Sequence, residues 1–312
     1  MSEEILDDEV LSLISQIKDK YNTQGQNFKS YLEGLLYQDY THYWDYIAVD
    51  SLLTLQKPKT LIPDEMIFII YHQITELYFK LSLHEMEQIV TSKNNIDVHF
   101  FAERVRRINA YFNNLTHSFE IMVNGMEPEQ FLKFRMSLLP ASGFQSAQYR
   151  MIEIYATEFI NLVNKEKREE VKELPIDQQF NHIYWQAGAT ESDTGKKTLT
   201  LTKFEQKYGD KLKRLACQNK ENNLWTIYQT LSETDKQNET LKAELRKFDL
   251  NVNVNWPLMH YKSAVKYLQK PKEDVPATGG TNWQKYLPPR FQLRIFYPEL
   301  FTTDELNNWG KF

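Results

Sequence analysis

The sequence predicts an all-α protein built as a bundle of many helices, and three observations support this prediction. Only 10 of the 312 residues are glycine, well below the usual share of about 7%. Glutamate, lysine, leucine and glutamine are frequent, and these residues favour helices. Apolar residues also recur at intervals of three and four positions through most of the chain, which is the spacing of amphipathic helices.

Charge and cysteine content exclude several classes of function. The net charge of −5 gives no positive field for nucleic acid. No apolar run reaches the roughly 18 residues of a membrane span, and the acidic N-terminal residues lack the basic start of a signal peptide. Cys217 is the only cysteine, which excludes disulfides within the chain and cysteine metal clusters. We therefore expect a cytoplasmic protein that binds neither nucleic acid nor a membrane.

The N-terminal part divides into an arm and the start of a larger domain. Apolar residues at helical spacing between Ile5 and Tyr21 predict an amphipathic helix, and the polar residues 22–27 predict a linker. We assign residues 1–27 to an N-terminal helical arm and residues 28–312 to one all-helical domain. The segment 31–46 is rich in tyrosine and poor in charge, which predicts a surface buried against the core, a ligand or another subunit.

The next stretch has a strong signal for a helix start. Pro63 is followed by Asp64 and Glu65, and a proline and two acids suit the first turn of a helix. The pattern predicts a helix to about residue 90, in which Phe68 and His72 share one face because they are four residues apart. A histidine on an apolar face serves either the core or a functional site, and both interpretations stay open here.

A corner between two helices is the best candidate for ligand binding. A long helix is predicted at 100–126, and residues 128–139 then carry Phe131 and Arg135 into the corner. Ser142 and Gln145 fit a capping box at the start of the next helix, predicted at 145–165, and Gly143 suits a tight backbone. Free N–H groups and an arginine fork both bind carboxylates. The alternative is a plain capped corner with a surface arginine.

The second half of the chain combines a polar segment with further helices. Residues 167–202 are interpreted as a polar, largely looped insertion, with a loop at 187–197 and a short strand at Thr198–Thr202. Another helix begins at Asn255, with Pro257 in its first turn and His260 on its apolar face. Thr278–Thr281 predicts a short turn. The remaining predicted helices are 204–217, 223–231, 239–248 and 304–309.

Several motifs occur in a recognisable order. They are Asp64-Glu65-Met66-Ile67-Phe68-Ile69-Ile70-Tyr71-His72-Gln73, Phe134-Arg135, Ser142-Gly143-Phe144-Gln145-Ser146, Gln148-Tyr149-Arg150 with Glu153, His260, and Thr278-Gly279-Gly280-Thr281. Together they resemble the tryptophan 2,3-dioxygenase family, haem enzymes that open the indole ring. The resemblance spans about residues 40–300, and its Ser-Gly-Phe-Gln-Ser corner is the most specific part.

The resemblance implies an all-α fold with a haem pocket, haem b as cofactor, O2 as co-substrate, and a homotetramer. By position, His260 resembles the axial ligand of the haem iron, and His72 resembles the catalytic histidine beside the substrate indole N–H. Arg135 resembles the clamp on the amino-acid carboxylate, and Thr278 the group near the substrate ammonium and carboxylate. The other positions that match the substrate pocket are Phe68, Phe131, Ser142 and Gly143. Tyr43, Tyr46 and Ile47 match a segment that covers a neighbouring subunit's pocket.

The implied reaction inserts O2 across the indole C2–C3 bond of L-tryptophan and gives N-formylkynurenine, a step of tryptophan catabolism in the kynurenine pathway. Two alternatives stay open. Pro257, Leu258 and Met259 stand where the family usually has polar or basic residues, so a related haem enzyme could oxygenate a modified tryptophan or another aromatic amino acid. A helical oligomer that binds haem or an amino acid without catalysis is the other alternative.

Overall fold

The computed structural model describes residues 7–38, 41–138, 141, 143–190, 196–269, 284 and 287–311. Within these residues the regular structure is helical, and the only β pairings are two isolated bridges, Val163 with Ile183 and Thr190 with Lys197. This confirms the predicted all-α class. No helix in the described ranges is long and apolar enough to cross a membrane. The cytoplasmic location stays a prediction.

The chain separates into two compact units, residues 1–56 and 57–312. The helices of the first unit are α1 (Asp8–Thr23), α2 (Phe28–Leu36), α3 (Tyr43–Tyr46) and α4 (Val49–Leu52). Asp7 and Asn27 cap α1 and α2 through their side chains. No residue described between 7 and 56 is buried, so this unit contributes apolar surface rather than a core. The division predicted at residue 27 stays a prediction.

The second unit contains the core. Its helices in the described residues are α5 (Asp64–Thr91), α6 (Val98–Ser118), α7 (Glu120–Asn124), α8 (Pro128–Phe134), α9 (Ala147–Ala156), α10 (Arg168–Val171), α11 (Ile176–Gln179), α12 (Tyr184–Gly188), α13 (Leu199–Gln218), α14 (Leu224–Thr230), α15 (Glu233–Lys236), α16 (Glu239–Leu250), α17 (Trp256–Leu268), α18 (Pro289–Gln292) and α19 (Thr303–Asn307). Short 3₁₀ turns lie at 93–95, 135–138, 143–145, 159–162, 165–167, 180–182 and 298–300.

Helices α5, α6, α9 and α16 form the centre of this unit. Helix α5 packs against α6 and α9, and α6 packs against α16. Helix α6 buries one apolar stripe, with Val105, Ile108, Phe112 and Leu115 fully inaccessible to solvent, because three- and four-residue spacing puts them on one face. The side chain of Asp97 accepts the Phe100 N–H at 2.8 Å and so caps the start of the helix.

Some predicted element boundaries were right and others were wrong. The helix predicted from Pro63 to about residue 90 is confirmed as α5. The helix predicted at 100–126 is two helices, α6 and α7, and the helix predicted at 145–165 ends at Ala156 and gives way to a 3₁₀ turn. The strand predicted at Thr198–Thr202 is wrong, because Thr198 caps α13 by accepting the Leu201 N–H at 3.3 Å.

The segment 167–202, predicted as polar and largely looped, contains α10, α11, α12 and the start of α13 in its described part. Val171, Phe180 and Trp185 from this segment are buried in the main hydrophobic cluster. The segment therefore belongs to the folded core rather than standing outside it.

Helices α16 and α17 form one continuous rod. The helix predicted to begin at Asn255 does not begin there, because a π-helical turn at Asn251–Asn255 connects α16 directly to α17. Pro257 therefore lies inside a continuous helix. Helix α17 in turn packs against α6, α7 and α8, so that His260 is carried toward the region where α5 and α8 also meet.

Candidate active site

His72 lies on α5, where its ring contacts that of Phe68, four residues earlier on the same helix. Its Nδ1 is 2.7 Å from the carbonyl oxygen of Phe68, and a carbonyl can only accept, so Nδ1 carries the proton. The two rings lie 4.1 Å apart. Burial lowers the pKa of His72, although the Phe68 carbonyl and the charge of Glu76 act to raise it. The ring is therefore neutral at pH 7, with the Nε2 lone pair as its acceptor.

His260 has the same arrangement on α17. Its Nδ1 is 3.1 Å from the carbonyl oxygen of Trp256, and the rings of Trp256 and Phe119 lie 4.6 and 4.7 Å from the imidazole. Burial lowers the pKa of His260 to about 4; the hydrogen bond to Trp256 raises it and His72 lowers it further. This imidazole is also neutral, and its Nε2 lone pair can act as a ligand.

The structure brings these two distant histidines into one region. Two aromatic rings connect the histidines: the ring of Tyr71, also on α5, is 6.3 Å from His72 and 5.7 Å from Phe119. Phe119 in turn contacts His260. Helix α5, the junction between α6 and α7, and helix α17 therefore each contribute to one aromatic wall.

Helix α8 adds the third side of this region. The rings of Phe131 and Phe134 lie 6.3 and 5.7 Å from the ring of Phe68, and Phe131 is 4.8 Å from Tyr267 of α17. Arg135 follows Phe134 directly and opens the 3₁₀ turn Arg135–Leu138. Its side chain is buried, and burial lowers the pKa of the guanidinium.

The corner after Arg135 differs in detail from its prediction. Gly143–Gln145 forms a 3₁₀ turn, and α9 begins at Ala147 with Ser146 as its cap, which accepts the Tyr149 N–H at 3.2 Å. The cap predicted at Ser142 is thus four residues too early, and Ser142 itself lies outside the described residues. The amide of Gln145 donates to the carbonyl of Thr200 at 3.0 Å, which ties the corner to α13.

The remaining predicted site residues are Thr278, Tyr43, Tyr46 and Ile47. Thr278 lies outside the described residues. Tyr43, Tyr46 and Ile47 belong to the first unit, where Tyr43 and Tyr46 are 73% and 82% exposed. Within the second unit, the structure groups His72, Phe68, Phe131 and His260 through ring contacts, with Arg135 on the adjoining turn.

Sequence analysis assigned no role to two sets of residues. Trp256 and Phe119 flank His260, and the only local signal was the four-residue spacing that places the Trp256 carbonyl against the imidazole. The second set is a buried polar cluster behind the corner. It consists of Tyr149, Arg150, Glu153, Tyr184 and Arg294. The sequence signal for this cluster was the pair of opposite charges Arg150 and Glu153, three residues apart in an otherwise largely apolar helix.

The donor set restricts which metal group this region can hold. No cluster of three or more histidine, cysteine, aspartate or glutamate side chains occurs in the part of the chain that the structure describes. A single neutral imidazole in aromatic surroundings suits a haem iron, because a porphyrin would supply most of the other ligands itself. The hydrogen bond from Nδ1 to a backbone carbonyl is the usual partner that orients such a ligand. The residues present therefore fit a haem group.

These contacts define an all-α protein in which helices α5 and α17 bring two neutral imidazoles against one aromatic wall. The family model described as tryptophan 2,3-dioxygenase matches residues 33–265. The chain therefore belongs to the tryptophan 2,3-dioxygenase family, as the resemblance predicted.

Individual relatives match a shorter part of the chain. A tryptophan 2,3-dioxygenase from Bradyrhizobium diazoefficiens is 37% identical over 111 residues, which is 36% of this chain and 39% of the relative. The enzyme of that name from Bacillus anthracis is 36% identical over 131 residues, 41% of this chain and 47% of the relative. The enzyme of that name from Shewanella woodyi is 33% identical over 136 residues, which is 43% of this chain and 47% of the relative. The chain thus matches less than half the length of these relatives.

Proposed function

We propose that the protein is a haem-dependent dioxygenase that inserts O2 across the indole C2–C3 bond of L-tryptophan and gives N-formylkynurenine. The observation that carries this proposal is the pair of imidazoles His72 and His260, which ring contacts through Tyr71 and Phe119 connect within one aromatic region. The family membership and the names of the relatives agree with it.

In this proposal His260 holds the iron of haem b through Nε2. The Trp256 carbonyl fixes the ring orientation and the tautomer, because it accepts the Nδ1 proton at 3.1 Å. When bound, haem supplies the iron chemistry that activates O2. Phe119 and Trp256 limit the access of water to the imidazole, which also keeps it in the neutral form that binds iron.

The substrate's two ends call for different partners. Arg135 binds the carboxylate, because a buried guanidinium remains charged and presents a planar fork. We assign Ser142, Gly143 and Thr278 to the same amino-acid end. Phe68 and Phe131 enclose the indole ring. His72, whose Nε2 is an acceptor, takes the indole N–H as its partner.

We also propose that the protein forms a homotetramer in which Tyr43, Tyr46 and Ile47 cover a neighbouring subunit's pocket. The exposure of this tyrosine-rich segment supports the assignment, because the described part of residues 7–56 has no buried residue of its own. A second surface is the outer stripe of α5, whose exposed apolar residues are spaced by four, four, three and four positions. These residues are Met66, Ile70, Ile74, Leu77 and Leu81. That spacing suits packing against another helix.

A reconstitution experiment tests the haem site. The reduced protein is loaded with haem, its Soret spectrum is recorded, and formylkynurenine formation is followed after L-tryptophan and O2 are added. We expect His260→Ala to lose the wild-type spectrum. His117→Ala is the matched control, because His117 makes the same Nδ1 bond to a carbonyl four residues earlier, at 2.9 Å, but is exposed. If His260→Ala and wild type bind haem alike, the ligand assignment is wrong.

A second variant tests the carboxylate clamp. Arg135→Lys keeps the charge but loses the two-pronged geometry, so we expect unchanged haem binding with a KM for tryptophan raised roughly tenfold or more. An unchanged KM would remove Arg135 from the site. Haem-loaded wild type that gives no product with tryptophan would refute the dioxygenase assignment. Turnover of a modified tryptophan instead would favour the related enzyme, and haem binding without any turnover would favour a non-catalytic binding protein.

A further inference from the structure

The rod formed by α16 and α17 contains a carbonyl group that has lost its helical donor. In the π-helical turn, the Trp256 N–H donates to the Asn251 oxygen, five residues earlier. The next donor in this pattern would be the N–H of residue 257, which would serve the Val252 carbonyl. Residue 257 is proline and has no N–H. Val252 is fully buried, so its carbonyl needs a donor from elsewhere.

That donor comes from α9. The hydroxyl of Tyr149 donates to the Val252 oxygen at 2.8 Å, and Nη2 of Arg294 lies 3.5 Å from the same oxygen. Both side chains are buried. The rod is therefore attached to α9 at the point where its hydrogen-bond pattern is interrupted. This point lies one turn before Trp256, and the ring and carbonyl of Trp256 contact His260.

The same two side chains belong to a larger buried network. Arg294 donates to the Tyr149 hydroxyl at 3.1 Å and pairs with Glu153. Tyr184 donates to Glu153 at 2.6 Å, and Arg150 pairs with the other oxygen of that carboxylate at 2.8 Å. Burial alone would lower the pKa of Arg294, but Tyr149, Tyr184 and Glu153 raise it above its ordinary value. Charged hydrogen bonds of this kind are strong and geometrically specific.

The other end of the network reaches the substrate corner. Nε of Arg150 donates a long hydrogen bond, 3.4 Å, to the carbonyl of Phe144 in the turn Gly143–Gln145. The ring of Phe144 packs against Trp185 and Phe204, 6.5 and 5.9 Å away. The corner is thus attached on one side to the buried core and on the other to the Arg150 guanidinium.

We propose that Tyr149, Arg150, Glu153 and Arg294 are positioning residues. Their network fixes the helix that carries His260 and the turn that carries Phe144 in position relative to each other. The proposal rests on the proposed function, which assigns the iron to one end and the amino-acid carboxylate to the other. The path runs from the Val252 carbonyl through Tyr149 and Arg294 to Glu153, and from there through Arg150 to the Phe144 carbonyl. A disturbance in the middle of this path therefore reaches both ends of the site.

The first experiment needs neither haem nor activity. Tyr149→Phe removes one hydroxyl and leaves the ring, and amide hydrogen exchange is measured in the protein before haem is added. We expect exchange about fivefold to tenfold faster at 251–256 and at 144–146. Tyr228→Phe is the matched control, because its buried hydroxyl also donates to a backbone carbonyl, that of Lys236 at 2.9 Å. The control should change neither segment.

The second experiment reads both ends in the haem-loaded protein. Tyr149→Phe should shift the iron–histidine spectral signature and raise the KM for tryptophan about fivefold to tenfold, while Tyr228→Phe should do neither. Arg150→Lys keeps the charge beside Glu153 but removes the Nε donor, so amide exchange should become faster mainly at 144–146. This variant replaces Tyr149→Phe in the test if Tyr149→Phe does not fold. Equal effects of Tyr149→Phe and the control, or faster exchange at 251–256 alone, would overturn the proposal. If the wild-type protein binds no haem or forms no product, the proposed function is refuted. The exchange experiment, which needs no haem, then decides alone whether the network positions the two segments.

Discussion

Asp249 is a buried acid whose protonation should govern the pH dependence of stability. Its Oδ2 accepts the N–H groups of Phe296 and Tyr297 at 2.8 and 2.9 Å, and its Oδ1 accepts the amide of Asn253 at 2.6 Å. Burial raises the pKa of Asp249 to about 7, although these hydrogen bonds and the charge of Arg294 act to lower it. The ordinary value for an aspartate is near 4.

The sign and size of the effect follow from proton binding. Between pH 4 and pH 7 the folded protein keeps a proton that the unfolded chain has lost, so the free energy of unfolding falls as the pH rises. The loss is about 1.4 kcal/mol per pH unit, or about 3 kcal/mol between pH 5 and pH 7, and it levels off above pH 7. Asp249→Asn retains an oxygen for the two backbone N–H groups and cannot ionise. Relative to wild type, its stability should therefore rise by about 3 kcal/mol between pH 5 and pH 8.

Urea unfolding of both proteins across pH 5 to pH 8 measures this difference, in which all other titrating groups cancel. Glu305→Gln is the control. The hydrogen bond from Arg246, followed by those of Thr302, lowers the pKa of Glu305 to about 2. The stability that Glu305 contributes is therefore lost only as the pH falls from about 4 to 2, and the control should show a flat difference between pH 5 and pH 8. A flat or falling difference for Asp249→Asn would refute the reasoning.

Three further predictions concern the fold and the assembly. Glu65→Gln should lower the free energy of unfolding by about 1–3 kcal/mol in a denaturant titration, because this buried carboxylate accepts two backbone N–H groups and a hydroxyl from the preceding loop. Gly310→Ala should cost about 1–2 kcal/mol in the same assay, because φ is +66° and a Cβ would lie 2.7 Å from the Arg290 nitrogen; equal stability would contradict this. Leu77→Glu should reduce the assembly size in light scattering, whereas Leu61→Glu, fully exposed and off the α5 stripe, should not.

Local sequence signals were sufficient where one short stretch determines the structure. The start of α5 is set by Pro63, Asp64 and Glu65, and its apolar residues repeat at helical spacing. The same spacing placed Phe68 and His72 on one face, and the ring contact between them follows from it.

Local signals failed where packing decides between two patterns. Thr198–Thr202 alternates like a strand, but Thr198 has a hydroxyl that caps a helix, and helical geometry buries Leu201 and Phe204 together. The core contact therefore outweighs the period-two pattern. Pro257 was taken to mark a helix start, yet it lies inside a continuous rod because the Tyr149 hydroxyl replaces the missing donor. That donor is far away in the chain, so no inspection of residues 250–260 could have found it.

The candidate site shows the same limit in another form. His72, His117 and His260 all place Nδ1 against a carbonyl four residues earlier, so helix geometry alone does not separate a functional histidine from a surface one. His117 remains exposed. His72 and His260 lie among aromatic rings, and ring contacts through Tyr71 and Phe119 connect them. This difference arises only when α5, α6 and α17 pack together. The histidines could therefore be nominated from the sequence, but the property that makes one a candidate iron ligand belongs to the assembled helices.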